Sequence, residues 1–252
     1  MLLMLAVTFS ETLFPVENLL GYSAQLHLKG YDATDLLERT VTCRVDDMAP
    51  GDTRPGALLT PQGKIIADFI LYRTEEGYTL WLHNDALADM EKRMKLFRLR
   101  KKVDIEAVPS TDKLDCDDGS RIVSGIAAFG RDFGAAEVFP TDINLDHREG
   151  IDYKKGCFVG QEVASRMMRR GKIRKRTVSL EGVSLTKDAQ IKAGDAVIGT
   201  ITSVAGANGL ALIRLDRLKV AQTSGLDLIS DGERVLIKAQ DWLAQEMEAL
   251  EA

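Results

Sequence analysis

Cysteine is scarce in this chain. Three occur among 252 residues, Cys43, Cys116 and Cys157. They are odd in number, far apart, and form no C-x-x-C pair. That argues against a secreted disulfide framework and against a cysteine zinc site. A reducing, cytoplasmic compartment fits this usage. Histidine is equally scarce, and His27, His83 and His147 show no metal-ligand spacing, so no metal is expected. There is no phosphate-binding P-loop, no dinucleotide fingerprint and no nucleophile elbow. Long apolar runs are missing too. The opening stretch at 1–9, MLLMLAVTF, is too short to span a bilayer and lacks the basic flank and cleavage pattern of a signal sequence. It reads as a buried strand or start segment, and no membrane contact is expected.

What is present describes an ordinary globular protein. Hydrophobic residues make up 45 % and charged residues 28 %, enough for a sizeable core without cross-links. The length is comfortable for two domains. Net charge is −5, but it is unevenly spread. From Lys154 to Arg176 there are nine basic residues and one acid. An acidic body with one basic strip points to a local anionic partner.

Elements follow from pattern. Ser23 to Lys29 alternates as a half-buried strand, and Asp32 to Thr40 reads as a short helix burying Ala33, Leu36 and Leu37. Gly56 to Leu82 reads as a meander whose turns are Pro61-Gln62-Gly63 and Glu75-Glu76-Gly77. Asn84 is the expected cap of a helix with Leu87, Met90, Met94 and Phe97 on one face. That helix ends in a basic cluster, Arg98 to Lys102, as suits a helix C-terminus. Val103 to Val108 is a further strand. Thr111 to Gly119 and Gly130 to Gly150 read as loops. After Gly171 the texture changes to short β-rich runs, with Asn208-Gly209 as a hairpin turn. The expectation is an α+β body, residues 1–171, followed by a small β-barrel, residues 172–252. Trp242 to Leu250 reads as a capping helix or a tail. No exposed heptad or long apolar edge is evident, so a monomer is expected.

Chemistry concentrates in Lys154-Lys155-Gly156-Cys157-Phe158-Val159-Gly160-Gln161-Glu162, running on to Arg166. Gly156 and Gly160 permit tight turns and close approach to a ligand. Gln161 to Arg170 is a helix candidate with Gly171 as its stop. Glu162 and Arg166, four apart, can pair on one face. Cys157 precedes a helix N-terminus and follows two lysines, a setting that favours thiolate over thiol. It reads either as a reactive thiol or as a small buried hydrophobe. Arg166 to Arg176 holds seven basic residues in eleven and no acid. It reads either as an anion site, RNA included, or as a solvated linker. Asp46, Asp47 and the acidic loop near Asp115 read as solvated.

The stretch K-G-C-F-V-G-Q-E followed by Arg166 resembles the signature of the YgfZ family of folate-binding proteins, relatives of the glycine-cleavage T-protein (aminomethyltransferase). Phe158 stands where that family has Tyr. Gly30-Tyr31-Asp32-Ala33, Leu37 to Val45, Pro61-Gln62-Gly63-Lys64, and Phe139-Pro140 through Asn144-Leu145-Asp146 resemble further family segments, in the family's order. The resemblance implies a T-protein-like body of mixed sheets and helices around a central channel, with a C-terminal barrel. It implies bound tetrahydrofolate or a derivative, and a role in assembling or repairing iron–sulfur enzymes, its clients, with links to tRNA modification. It places the signature thiol at Cys157 and folate contacts among Lys155, Gly156, Gly160, Gln161, Glu162 and Arg166. One departure stands out. T-protein relatives carry an acid in a T-N-D-like segment, and Thr42-Cys43-Arg44-Val45 puts Arg44 there. A guanidinium does not give up its proton as that acid would, so ordinary aminomethyl transfer is not expected unless Asp46 or Asp47 takes its place. The rival readings are a folate-dependent one-carbon transferase and an RNA-binding module that uses Arg166 to Arg176.

Overall fold

The structure, a computed structural model, describes residues 20–110, 117–169, 173–238 and 241–249. The segment at 1–9, Cys116, the acidic loop at Asp115, and Arg170, Gly171 and Lys172 of the basic strip lie outside the described residues.

The predicted meander is there. β1 (Ala24–Lys29), β2 (Thr53–Leu59), β3 (Ile65–Arg73), β4 (Gly77–Leu82) and β5 (Asp104–Val108) form one antiparallel sheet ordered β2-β3-β4-β1-β5. Side chains alternate across it. Phe69 faces the main core, close to Gly56 and Cys43. Asp68 and Ile70 point the other way, where Tyr22 packs with Ile70 and Ala128.

Helix α1 (Ala33–Glu38) buries Ala33, Leu36 and Leu37, as its spacing predicts. Helix α2 (Asn84–Arg98) buries Ala86, Leu87, Met90 and Met94. Its cap is His83 rather than Asn84. His83 has the extended backbone a cap requires, and its Nδ1 accepts from the Asp85 N–H at 3.3 Å. Asn84 is already helical, and its side chain accepts instead from the Ser110 N–H at 3.3 Å. A third helix, α3 (Asp118–Val123), begins in the last two residues of the stretch read as loop, Thr111 to Gly119; Asp117 caps it by accepting from the Ser120 N–H at 3.1 Å. Helix α4 (Gln161–Arg169) follows the cysteine motif, as predicted.

The remainder closes into a barrel. β6 (Lys175–Gly182), β7 (Gln190–Ala193), β8 (Ala196–Ala205), β9 (Asn208–Arg214), β10 (Leu228–Ser230) and β11 (Glu233–Ile237) run in the order β10-β11-β6-β9-β8-β7, and β7 pairs back onto β10. Closure leaves no free sheet edge. The β8–β9 hairpin is where the sequence places it, but its turn is Gly206-Ala207, with Asn208 and Gly209 already in β9. Gly206 supplies the positive φ, 61°, that a two-residue hairpin turn needs at its first position. Helix α5 (Leu215–Thr223) interrupts the run of strands and buries Leu215, Leu218 and Ala221. The capping helix α6 (Asp241–Ala249) is helical.

Two buried arginines join barrel to body. Arg176, on β6, donates to Asp146 at 2.6 and 2.9 Å, to Glu246 on α6, and to the Thr141 carbonyl at 2.7 Å. Arg121, on α3, donates to Asp132 at 2.5 Å, to Asp118, and to the Ser203 hydroxyl on β8 at 3.1 Å. Both side chains are fully buried. A buried cation is tolerated only when its charge and donors are matched, and removing one partner of such a set costs about 3–5 kcal/mol. Arg176→Met is therefore expected to lower stability by about 3 kcal/mol by stranding Asp146 and Glu246. Urea unfolding measures it; a midpoint equal to the native one would show that the clamp carries no weight.

Candidate functional site

The cysteine motif is built around a buried lysine. Lys155 points inward, and its ammonium donates to the Val41 carbonyl at 3.0 Å and the Cys43 carbonyl at 2.5 Å. Glu38, at the end of α1, lies 3.5 Å away. Burial pushes the Lys155 ammonium down from its ordinary value, and Glu38 opposes this. Lys155 is thus a pin between the motif and the 41–43 segment, and its charge is turned away from the loop surface.

A second pin lies alongside. Arg44 donates to Asp152 at 2.6 Å, and the other Asp152 oxygen accepts from the Lys154 and Lys155 N–H groups at 2.7 and 3.1 Å. Burial works against the Asp152 charge, but the Arg44 bond and the two amides hold its carboxyl below the usual range. Arg44 is therefore committed to holding the motif. Neither Asp46 nor Asp47 takes an interior place: both are exposed, and Asp47 pairs with Arg54 at 2.7 Å.

The two motif glycines differ. Gly160 has φ 79°, and a Cβ there would lie 2.6 Å from the Thr60 carbonyl. Only glycine fits. Next to it, Val163 on α4 packs against Gly63 of the Pro61-Gln62-Gly63 turn, where a Cβ would meet Val163 at 3.1 Å. Gly156 is exposed with open space around it. Phe158 is buried, with the Lys155 Nζ 5.5 Å from its ring centre.

These pins leave Cys157 exposed on a fixed loop. Cys43 is the opposite case: burial pushes its thiol up to about 12, so it stays protonated. Cys157 is the exposed thiol among the described residues, and the Arg39 guanidinium lies within its electrostatic reach. The Glu162–Arg166 pair that the spacing allows does not form among the described residues. Both side chains are exposed, where such a pair is worth only a few tenths of a kcal/mol.

A groove of about 440 Å³ runs beside α4, lined by Tyr153, Gln161, Glu162, Ser165, Met168 and Arg169. The Tyr153 hydroxyl is buried and has no partner among the described residues. Gln161 donates to the Lys155 carbonyl at 3.3 Å, which ties the groove to the loop.

Sequence reading missed another group. Asp68 lies on the sheet face away from Phe69, buried, and the Tyr22 hydroxyl donates to one of its oxygens. Among the described residues the other oxygen has no partner. Burial pushes the Asp68 carboxyl up to about 6, against the Tyr22 bond and nearby Arg148, which favour its charged form. The available signal was an acid within the otherwise apolar run Ile65–Tyr72.

The basic strip does not act as one unit. Arg166 and Arg169 are exposed, whereas Arg176 is buried in its carboxylate clamp. Asp146, His147 and Glu246 come close enough to hold a cation, but Arg176 already engages both carboxylates and His147 stacks on Trp242 at 4.5 Å. A metal there would sit against a guanidinium. Among the described residues no helix is long and apolar enough to cross a membrane.

Known proteins resemble this chain in both parts. Residues 174–245 match the family model described as CAF17, C-terminal beta-barrel domain. The mitochondrial iron-sulfur cluster assembly factor IBA57 homolog of Mycosarcoma maydis is 26 % identical over 218 residues, covering 62 % of this chain and 54 % of that protein. Mouse mitochondrial iron-sulfur cluster assembly factor IBA57 is 24 % identical over 274 residues, covering 78 % and 76 %. The chain spans about half the length of the fungal relatives from Mycosarcoma maydis and Coccidioides immitis, 54 % and 55 %. Among solved structures, the glycine cleavage system aminomethyltransferase T from Bartonella henselae superposes with a TM-score of 0.73 at 14 % identity, over 90 % of this chain and 85 % of that one. The fold is that of the glycine-cleavage T-protein: an α+β body of mixed helices and sheets with a closed six-stranded barrel.

Proposed function

We propose that this protein assists iron–sulfur cluster assembly and binds a tetrahydrofolate-type cofactor in its body, with the division between body and barrel near residues 171–172. The observation that carries the reading is the cysteine motif: an exposed thiol on a loop held by a buried lysine and a half-buried ion pair. A thiolate is a soft ligand suited to iron–sulfur chemistry. The similarity to relatives described as iron–sulfur cluster assembly factors supports the same assignment.

For the cofactor, the chemistry of Asp68 fits. A buried carboxylate with an unpaired oxygen calls for a hydrogen-bond donor, and the amino edge of a pterin provides donors. When bound, a reduced folate supplies nitrogens able to carry one-carbon units. Asp68 would hold the heterocycle. Lys155, Gly156 and Gly160 shape the loop, and we assign ligand contact to its exposed or half-exposed polar groups, Gln161, Glu162 and Arg166. Arg166, with Arg169 beside it, suits a carboxylate tail. Arg44 does not replace the acid that a transferase needs, but Asp68 is an acid that takes up and gives up a proton near neutrality. One-carbon transfer therefore stands as a second reading, carried by Asp68 alone.

Three outcomes are expected. Anaerobic calorimetry with tetrahydrofolate should show binding that Asp68→Asn weakens about tenfold or more, because the amide keeps one acceptor but loses the charge. Equal binding by the two proteins would remove Asp68 from the site. Cys157→Ser should fold normally yet fail to support a cluster-dependent enzyme in cells lacking the native protein; full support would sink the role of the thiol. The third outcome concerns pH. The Asp68 carboxyl titrates near 3.9 unfolded and about 6 folded, so the native state holds the extra proton between those values. Its contribution to stability is greatest below about pH 4 and is lost as pH rises to about 6. Asp68→Asn should flatten that part of the stability–pH curve relative to the native protein, as read by urea unfolding across the window.

A further inference from the structure

The basic cluster that ends α2 serves more than the helix. Between Glu91 and Lys102 the chain has seven basic residues and one acid. Some are internally matched: Lys95 pairs with Glu91, Arg93 with Asp89 and Lys101 with Asp35. Among the described residues, Lys92, Arg100 and Lys102 are exposed and have no acidic partner. Set among these charges are three large side chains that the fold leaves in water. Tyr31 is 92 % exposed, Leu99 81 % and Leu96 67 %. Tyr31 and Asp32 lie against this end of α2, since the Lys102 N–H donates to Asp32 at 2.7 Å. Asp32, Leu99, Arg100 and Lys101 line a shallow hollow between them.

Leu99 is costly to keep. The Lys101 N–H bonds to the Arg98 carbonyl at 2.8 Å, closing a turn with Leu99 in its first central position. There φ is 47° and ψ −111°. Those are the angles of the mirror-image hairpin turn, whose ordinary occupant is glycine. A leucine there strains the backbone and gains nothing from burial. Folding does not explain this residue.

We infer that Tyr31, Leu96 and Leu99, ringed by Lys92, Arg100 and Lys102, form a docking surface for an acidic protein partner. Charge complementarity names the partner: three unmatched cations around an apolar centre call for carboxylates around an apolar centre. The hollow suits a protruding side chain from such a protein. A bilayer suits the site less well, because Asp32 lies in the hollow and the chain as a whole carries −5. A chain of ion pairs leads from this surface toward the thiol loop. Helix α1 connects them, since Asp35 bonds both Lys101 and Arg39, and Arg39 lies within electrostatic reach of Cys157. A partner seated on Leu99 would thus be linked through Asp35 and Arg39 to the loop that carries Cys157. On the assembly reading above, on which this last step rests, that partner supplies or receives the cluster.

The test separates docking from chemistry. The photo-crosslinking residue benzoylphenylalanine is placed at position 96, and at Val183 on the barrel, which is 90 % exposed, as the control. Adducts formed in the expressing cells are identified by mass spectrometry, and the protein found is purified and titrated. The expected result is one acidic protein captured at 96 and not at 183. Its affinity should fall as salt is raised and weaken about tenfold on Leu96→Gln or Leu99→Gly. Leu99→Gly should at the same time raise the melting temperature, since glycine relieves the turn; loss of binding then cannot come from unfolding. Cys157→Ser should leave this binding intact. Equal capture at 96 and 183 would overturn the proposal. So would an adduct on nucleic acid, or Leu99-dependent sedimentation with phosphatidylcholine–phosphatidylglycerol vesicles. A captured acidic protein that neither carries nor receives a cluster would uphold the surface and count against the assembly reading.

Discussion

A charge that cannot be left unpaired organises the candidate site. The Lys155 ammonium is buried, so it must find acceptors, and it takes the carbonyls of Val41 and Cys43. That need draws the motif loop onto the segment carrying Arg44, and Arg44 closes the second contact through Asp152. With the approach to Cys157 held at Asp152 and Lys155, Gly160 on the far side presses against the Thr60 carbonyl where α4 starts. Cys157 stays exposed while Lys155 and Phe158 on either side of it turn inward.

The same rule joins the two halves of the molecule. Arg121 and Arg176 are buried between body and barrel, each surrounded by carboxylates and carbonyls. Such sets add little net stability over apolar packing, but they tolerate few alternative arrangements. They fix how the barrel and α6 meet the body, and they explain why the last arginine of the basic strip is withdrawn from solvent. Asp68 and Leu99 stand outside this economy of matched groups. One is a buried carboxylate with one oxygen unpaired among the described residues; the other is an exposed leucine in a glycine conformation. Unmatched features of this kind are where function has to be sought.

Much of the fold was legible. The strands of the meander, the α2 face of Leu87, Met90 and Met94, and the β-rich tail all follow from periodicity and turn residues. Boundaries were less so. His83 displaced Asn84 as the cap because Ser110, distant in sequence, engages Asn84. The hairpin turn moved two residues, to Gly206-Ala207, because barrel register decides which residues face each other. Helix α5 follows directly on β9, so its Leu215, Leu218 and Ala221 spacing blends into the strand before it. At the site, the motif and its glycines were legible as a string. The inward turn of Lys155 and the capture of Arg44 by Asp152 were not, since each depends on segments about a hundred residues apart.

The sequence by itself determined the alternation that makes the sheet and barrel, the glycine at 160, and the concentration of chemistry around Cys157. Those are local properties of backbone freedom and side-chain period. Only the tertiary structure decided which charges are buried and what they pair with. It made Lys155 a pin, Arg176 a clamp and Asp68 a raised acid, and it left Leu99 in water. Burial sets the cost of a charge, and burial exists only once distant parts of the chain have packed together.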